Sequence, residues 1–128
     1  MEPEKDLKEW LKKADEDYGF ASSILPDTNY YAQVCFHFQQ AAEKYLKVYI
    51  IAKGLEFSKI HDLRQLVNLC QKDDAGFLKF KDEADFLSPF YIDARYPVHW
   101  PSEVGKEEAV KAQEATLKIK QFVESKLK

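Results

Sequence analysis

Apolar residues return at steps of three and four along the longest stretch that lacks glycine and proline, residues 27–53. Tyr31, Val34, Phe38, Ala41, Ala42, Tyr45, Leu46, Tyr49 and Ala52 fall on one side of a helix with about 3.6 residues per turn. The spacing predicts a central helix over Tyr30 to Gly54, started by a cap at Thr28 or Asn29 and ended by Gly54 in a left-handed conformation. Such a helix is roughly 35 Å long. Its apolar stripe is wider than a coiled-coil seam, so it is expected to lie between several other helices.

The same period organises the flanking segments. Leu7, Trp10 or Leu11, Ala14, Tyr18, Ala21 and Leu25 predict a first helix from about Lys5 to Leu25, stopped by Pro26. The short turn Pro26–Asn29 makes it an antiparallel neighbour of the central helix. Leu63, Leu66, Val67 and Cys70 predict a third helix over His61 to Gln71, opened by Ser58 or His61 and broken by Asp73-Asp74-Ala75-Gly76. Phe77, Leu78, Phe80, Ala84, Phe86 and Leu87 carry a fourth helical segment. Ser88-Pro89 then kinks or restarts it, with helical geometry expected to recover through Tyr91 to Ala94. The prolines of Arg95-Tyr96-Pro97-Val98-His99-Trp100-Pro101 exclude regular helix there. A last helix is expected to start between Ser102 and Lys106, with Ala109, Ala112, Ala115, Ile119, Phe122 and Val123 as its buried stripe. No stretch alternates apolar and polar residues as a strand would. The reading is therefore one all-α domain over residues 1–128, an up-and-down four-helix bundle with an additional short helix.

Composition narrows the function. A chain of 128 residues buries enough surface to fold without a metal or disulfide staple. The net charge of −3 argues against nonspecific nucleic-acid binding through overall charge, while leaving room for a local basic patch. Cys35 and Cys70 stand in no metal-binding spacing and read as small core residues; a disulfide between them is possible but not needed. His37, His61 and His99 lack any metal-ligand spacing, so neither a metal nor another cofactor is expected. The opening Met1-Glu2-Pro3-Glu4-Lys5 is no signal peptide and no apolar run is long enough to cross a bilayer, which makes a cytoplasmic protein the expectation, with no membrane association.

Two places carry candidate chemistry. On the central helix, Gln39, Gln40, Glu43, Lys44 and Lys47 stand beside the apolar stripe. They read as a solvated face or inter-helix network of the kind helix-surface pairs form, or as a contact with a partner. Further on, Tyr91, Arg95, Tyr96, His99 and Trp100 place a planar cation, an imidazole and three aromatic rings within ten residues. Arginine grips phosphate bidentately, aromatic rings stack on bases, and histidine moves protons near neutral pH. The alternative reading has Arg95 pairing with a carboxylate at the end of its helix and the rings closing the bundle end.

These residues resemble the HEPN family of small helical bundles. The similarity rests on Ala14 and Leu25; on Tyr31, Ala32 and the run Phe38-Gln39-Gln40-Ala41-Ala42-Glu43-Lys44-Tyr45-Leu46-Lys47; on Gly54; on His61-Asp62-Leu63 with Leu66; and on Tyr91 followed by Ala94-Arg95-Tyr96-Pro97. The resemblance implies a homodimer formed through bundle helices, often partnered with a minimal nucleotidyltransferase in a toxin–antitoxin or related module, and binding of a nucleotide or RNA. On this chain the ligand residues would be Tyr91, Arg95, Tyr96, Lys44 and His61, with Trp100 as a further stacking ring. Ribonuclease members use an arginine, four to six residues, then a histidine, without metal. Here Arg95 and His99 would be that catalytic pair, with three residues between them, one of which is Pro97. Two other outcomes stand beside nucleotide or RNA binding: a metal-independent endoribonuclease toxin, and a structural protein-interaction module.

Overall fold

A computed structural model describes residues 3–56, 60, 62–91 and 104–127. It is all-α, with no strand among the described residues. Five α-helices are described: α1 (Pro3–Ile24), α2 (Tyr31–Ala52), α3 (Leu63–Asp73), α4 (Lys81–Leu87) and α5 (Lys106–Lys126). Two 3-10 turns, Leu25–Asp27 and Ala75–Phe80, join them.

Helix α2 is the axis of the bundle. It packs chiefly against α1 and α5, and its far side meets α3. Val34, Cys35, Phe38, Ala41, Ala42, Tyr45, Leu46, Val48, Tyr49 and Ile50 are all buried, so the apolar side is wider than the predicted stripe. The two ends of that stripe depart from expectation: Tyr31 is only half-buried and Ala52 is exposed. The small Ala109, Ala112 and Ala115 let the first half of α5 come close to α2. Thr116, buried beside them, donates to the Phe38 carbonyl at 3.1 Å and fixes the two helices in register.

The helix ends show where side-chain caps won and lost. Gly54 takes φ 69°, and the Gly54 and Leu55 N–H groups bond the Ile51 and Ile50 carbonyls at 3.1 and 2.9 Å. This is a Schellman closure, which needs the left-handed conformation that glycine supplies without strain. At the other end neither Thr28 nor Asn29 caps α2. Tyr30 occupies that place without a side-chain bond, because the Thr28 hydroxyl is spent locally on the Tyr30 N–H at 2.9 Å. Helix α3 is capped not by Ser58 or His61, which lie outside the described residues, but by Asp62, whose carboxylate accepts the Arg64 N–H at 2.9 Å. Its helix runs two residues later than predicted at both ends, Leu63–Asp73 rather than His61 to Gln71. Helix α5 starts at Lys106, where Glu108 reaches back to accept the Gly105 N–H at 2.7 Å.

The predicted fourth helix is α-helical only in part. Asp74 accepts the Gly76 N–H at 2.8 Å and the chain then winds as 3-10 to Phe80. Three residues per turn set Phe77 and Phe80 one above the other, and both rings meet Phe122 of α5, at 4.8 and 5.3 Å between centroids. An α-helix would splay the pair. Helix α4 ends at Leu87; Ser88 forms a turn and helical geometry restarts over 89–91, as the proline predicted. Residues 92–94, also expected to be helical, lie outside the described residues.

Gly76 lies tight against this aromatic cluster. A Cβ there would stand 2.7 Å from the Phe122 ring, which is braced between Phe77 and Phe80. Gly76→Ala is expected to lower stability by about 1–3 kcal/mol, read as a shift in the urea midpoint at unchanged slope.

Both thiols sit in the core and no disulfide joins them. Burial, aided by Glu108 near Cys35 and Asp73 near Cys70, pushes each thiol up to about 12, so both remain protonated at neutral pH.

Candidate functional site

The polar strip of α2 divides into a buried half and a half-exposed half. Gln39, Glu43 and Lys47 are buried, at 0 %, 4 % and 2 % exposure. They follow a spacing of four, which stacks them on one line of the helix. Lys47 Nζ donates to Glu43 Oε2 at 3.0 Å, and its ammonium lies 5.4 Å from the centre of the Trp10 ring on α1. Gln39 accepts from the Gln40 amide at 2.8 Å. Of the alternatives open in the sequence, burial excludes the solvated face for Gln39, Glu43 and Lys47, and the contact of Lys47 with Trp10 of α1 agrees with an inter-helix arrangement. Periodicity treats a charge as a solvent marker, whereas here the ion pair is taken into the protein.

Lys44 lies on the outer edge of the strip. Its ammonium donates to Asp17 of α1, and Asp17 also faces His37 Nδ1 at 3.4 Å. Burial pulls the Asp17 carboxyl upward, but hydrogen bonds and charge from His37 and Lys44 outweigh it and hold the group below the usual carboxylate range. The half-exposed Phe20 ring meets the His37 imidazole edge-on at 5.0 Å. In the sequence Asp17 was not singled out, and His37 was read only as a histidine without metal-ligand spacing. The i,i+7 relation of His37 and Lys44 on α2 was the available signal, since it places them on one face two turns apart.

Of the other candidate residues, Tyr91 is half-buried at the last described position before the proline-rich segment. Arg95, Tyr96, His99, Trp100 and His61 lie outside the described residues. Lys44 and Tyr91 are thus the two whose surroundings are known. Neither lines the clefts that lie against α1, α4 and α5 or between α3 and α4. Among the described residues no three His, Cys, Asp or Glu side chains converge as metal ligands, and no helix is long and apolar enough to cross a membrane.

The family model for the HEPN domain matches residues 7–126, from the first turns of α1 to the end of α5. The chain belongs to the HEPN family. A crystal structure of an archaeal HEPN homologue superposes on this HEPN protein with a TM-score of 0.75, at 24 % identity, covering 95 % of this chain and 98 % of the other. That likeness shows the shared fold, with the bundle aligned along nearly its full length in both chains. No curated protein matches the sequence.

Proposed function

We propose that this HEPN protein works as a homodimer that binds a nucleotide or RNA, partnered with a separately encoded minimal nucleotidyltransferase in a toxin–antitoxin or related module. The observation that carries the reading is the family match over residues 7–126, which takes in the QQAAEK, HDL and ARYP stretches in one alignment. In this reading Arg95 grips phosphate, Tyr91, Tyr96 and Trp100 supply stacking surfaces, and His61 and Lys44 assist. Lys44 would enter that role already paired with Asp17, so it would contribute a directed hydrogen bond more than an uncompensated charge.

The test is a titration of the purified protein with ATP, GTP and a short RNA, wild type beside Arg95→Ala. The RNA is also run on a gel after incubation with EDTA. The expected result is binding without cleavage, weakened about tenfold or more by the substitution, the scale of a lost charge-assisted bond. Full affinity in a folded Arg95→Ala protein would remove Arg95 from the site. Metal-independent cleavage that disappears in His99→Ala would replace the binding reading with the ribonuclease one. Neither binding nor cleavage would leave a protein-interaction module.

A further inference from the structure

A cleft of about 220 Å³ opens between α3 and α4, lined by Arg64, Val67, Asn68, Lys81, Ala84 and Asp85. Its construction is regular. Arg64 and Asn68 are one helical turn apart on α3, and Lys81 and Asp85 are one turn apart on α4, so four polar ends face the cleft from two helices. Buried Val67 and Ala84 form its floor.

The donors there are underused. Arg64 meets Asp62 at 3.5 Å and Asp85 at 3.9 Å, both through Nε. These are long contacts, and Asp62 is already engaged in capping α3 through the Arg64 N–H. The guanidinium fork formed by the two terminal nitrogens has no partner among the described residues, and neither has the Asn68 amide or the Lys81 ammonium. A planar fork, an ammonium and an amide with free N–H groups around a small concavity make a set of donors for a tetrahedral oxyanion.

We propose that this cleft is a phosphomonoester site built on Arg64, Asn68 and Lys81. A phosphomonoester carries close to two negative charges at neutral pH and three acceptor oxygens, which matches Arg64 and Lys81 in charge and the three donor groups in number. Val67 and Ala84 give the ester end a nonpolar floor. Asp85 is the opposing element: it balances part of the Arg64 charge and limits affinity. The site does not depend on the proposed role of Arg95.

The test follows the Asn68 side-chain amide by NMR in the full chain while inorganic phosphate, AMP, adenosine or an RNA hexamer with hydroxyl ends is added. Phosphate and AMP are expected to shift it saturably, and adenosine to leave it unmoved. Arg64→Gln and Lys81→Gln are each expected to weaken AMP binding about fivefold or more, and Asp85→Asn to tighten it. Arg95→Ala should leave the Asn68 titration unchanged. An Asn68 signal indifferent to phosphate and AMP, or unaffected by Arg64→Gln and Asp85→Asn, would overturn the site. So would its loss in Arg95→Ala, which would place the anion there. Equal affinity for the hydroxyl-ended RNA would overturn the preference for a monoester. Should Arg64→Gln fail to fold, Lys81→Gln and Asp85→Asn, both at exposed positions, decide the matter.

Discussion

Lys47→Ala is expected to destabilise the protein by about 3–5 kcal/mol, the range for removing one partner of a buried ion pair. The two side chains are almost wholly buried, at 3 % and 6 % exposure, and lie 3.0 Å apart. The substitution strips Glu43 of this cation, removes the ammonium that stands over the Trp10 ring and deletes a buried aliphatic stem. Lys47→Met keeps most of the stem and discards the charge, so the difference between the two variants measures packing separately from charge. Replacing the pair together, Glu43→Gln with Lys47→Met, is expected to recover much of the loss, since neither charge of the pair is then left buried without the other. Urea unfolding of the four proteins is the measurement. A loss below about 1 kcal/mol for Lys47→Ala would mean that water or a rearranged neighbour solvates Glu43, and that the pair is not closed in as the structure has it.

Phe77→Ala should cost about 3–5 kcal/mol by a different route, the cavity left when a fully buried ring is removed. The ring is 0 % exposed and meets Tyr49 at 4.6 Å, Phe122 at 4.8 Å and Phe80 at 6.2 Å between centroids. It therefore joins the 3-10 turn to α2 and α5 at once, and its loss loosens three elements. Leu78→Ala, one residue on, is the control: that side chain is 46 % exposed and its truncation should cost no more than about 0.5 kcal/mol. Thermal melts of both variants test the contrast. Similar shifts for the two would show that the turn does not hold the orientation that buries Phe77 and exposes Leu78.

Much of this architecture was legible in the sequence because helix period, proline and glycine act locally. Gly54 was read as a left-handed stop and is one, since the conformation it supplies is a property of that residue. Pro89 was read as a kink or restart for the same reason, and the helix does break at Ser88. The caps were less legible, because several competent residues precede each helix and a local bond, such as that of Thr28 to the Tyr30 N–H, can take a side chain out of the capping role. The 3-10 winding at Ala75–Phe80 was hidden because Phe77 and Phe80 stand three apart, a step that α and 3-10 helices share. Burial of Glu43 and Lys47 was hidden for a deeper reason. Their neighbours in space come from α1 and elsewhere in the fold, and no window along α2 contains Trp10. Of the candidate ligand residues, the sequence named Lys44 and the structure adds its companions, Asp17 and His37.

The placement of α5 bears on how the molecule is made. The buried face of α2 is covered partly by α1, its immediate predecessor, and partly by α5, whose residues Ala109 to Val123 are the last large block of the domain to be synthesised. A nascent chain that has released only α1 and α2 is a hairpin with Phe38 and its neighbours still open to water. The domain closes only when α5 has left the ribosome, so a truncation before Lys106 presents α1 to α4 with that face of α2 open to the cell, while one after Val123 keeps the buried stripe of α5 that covers it.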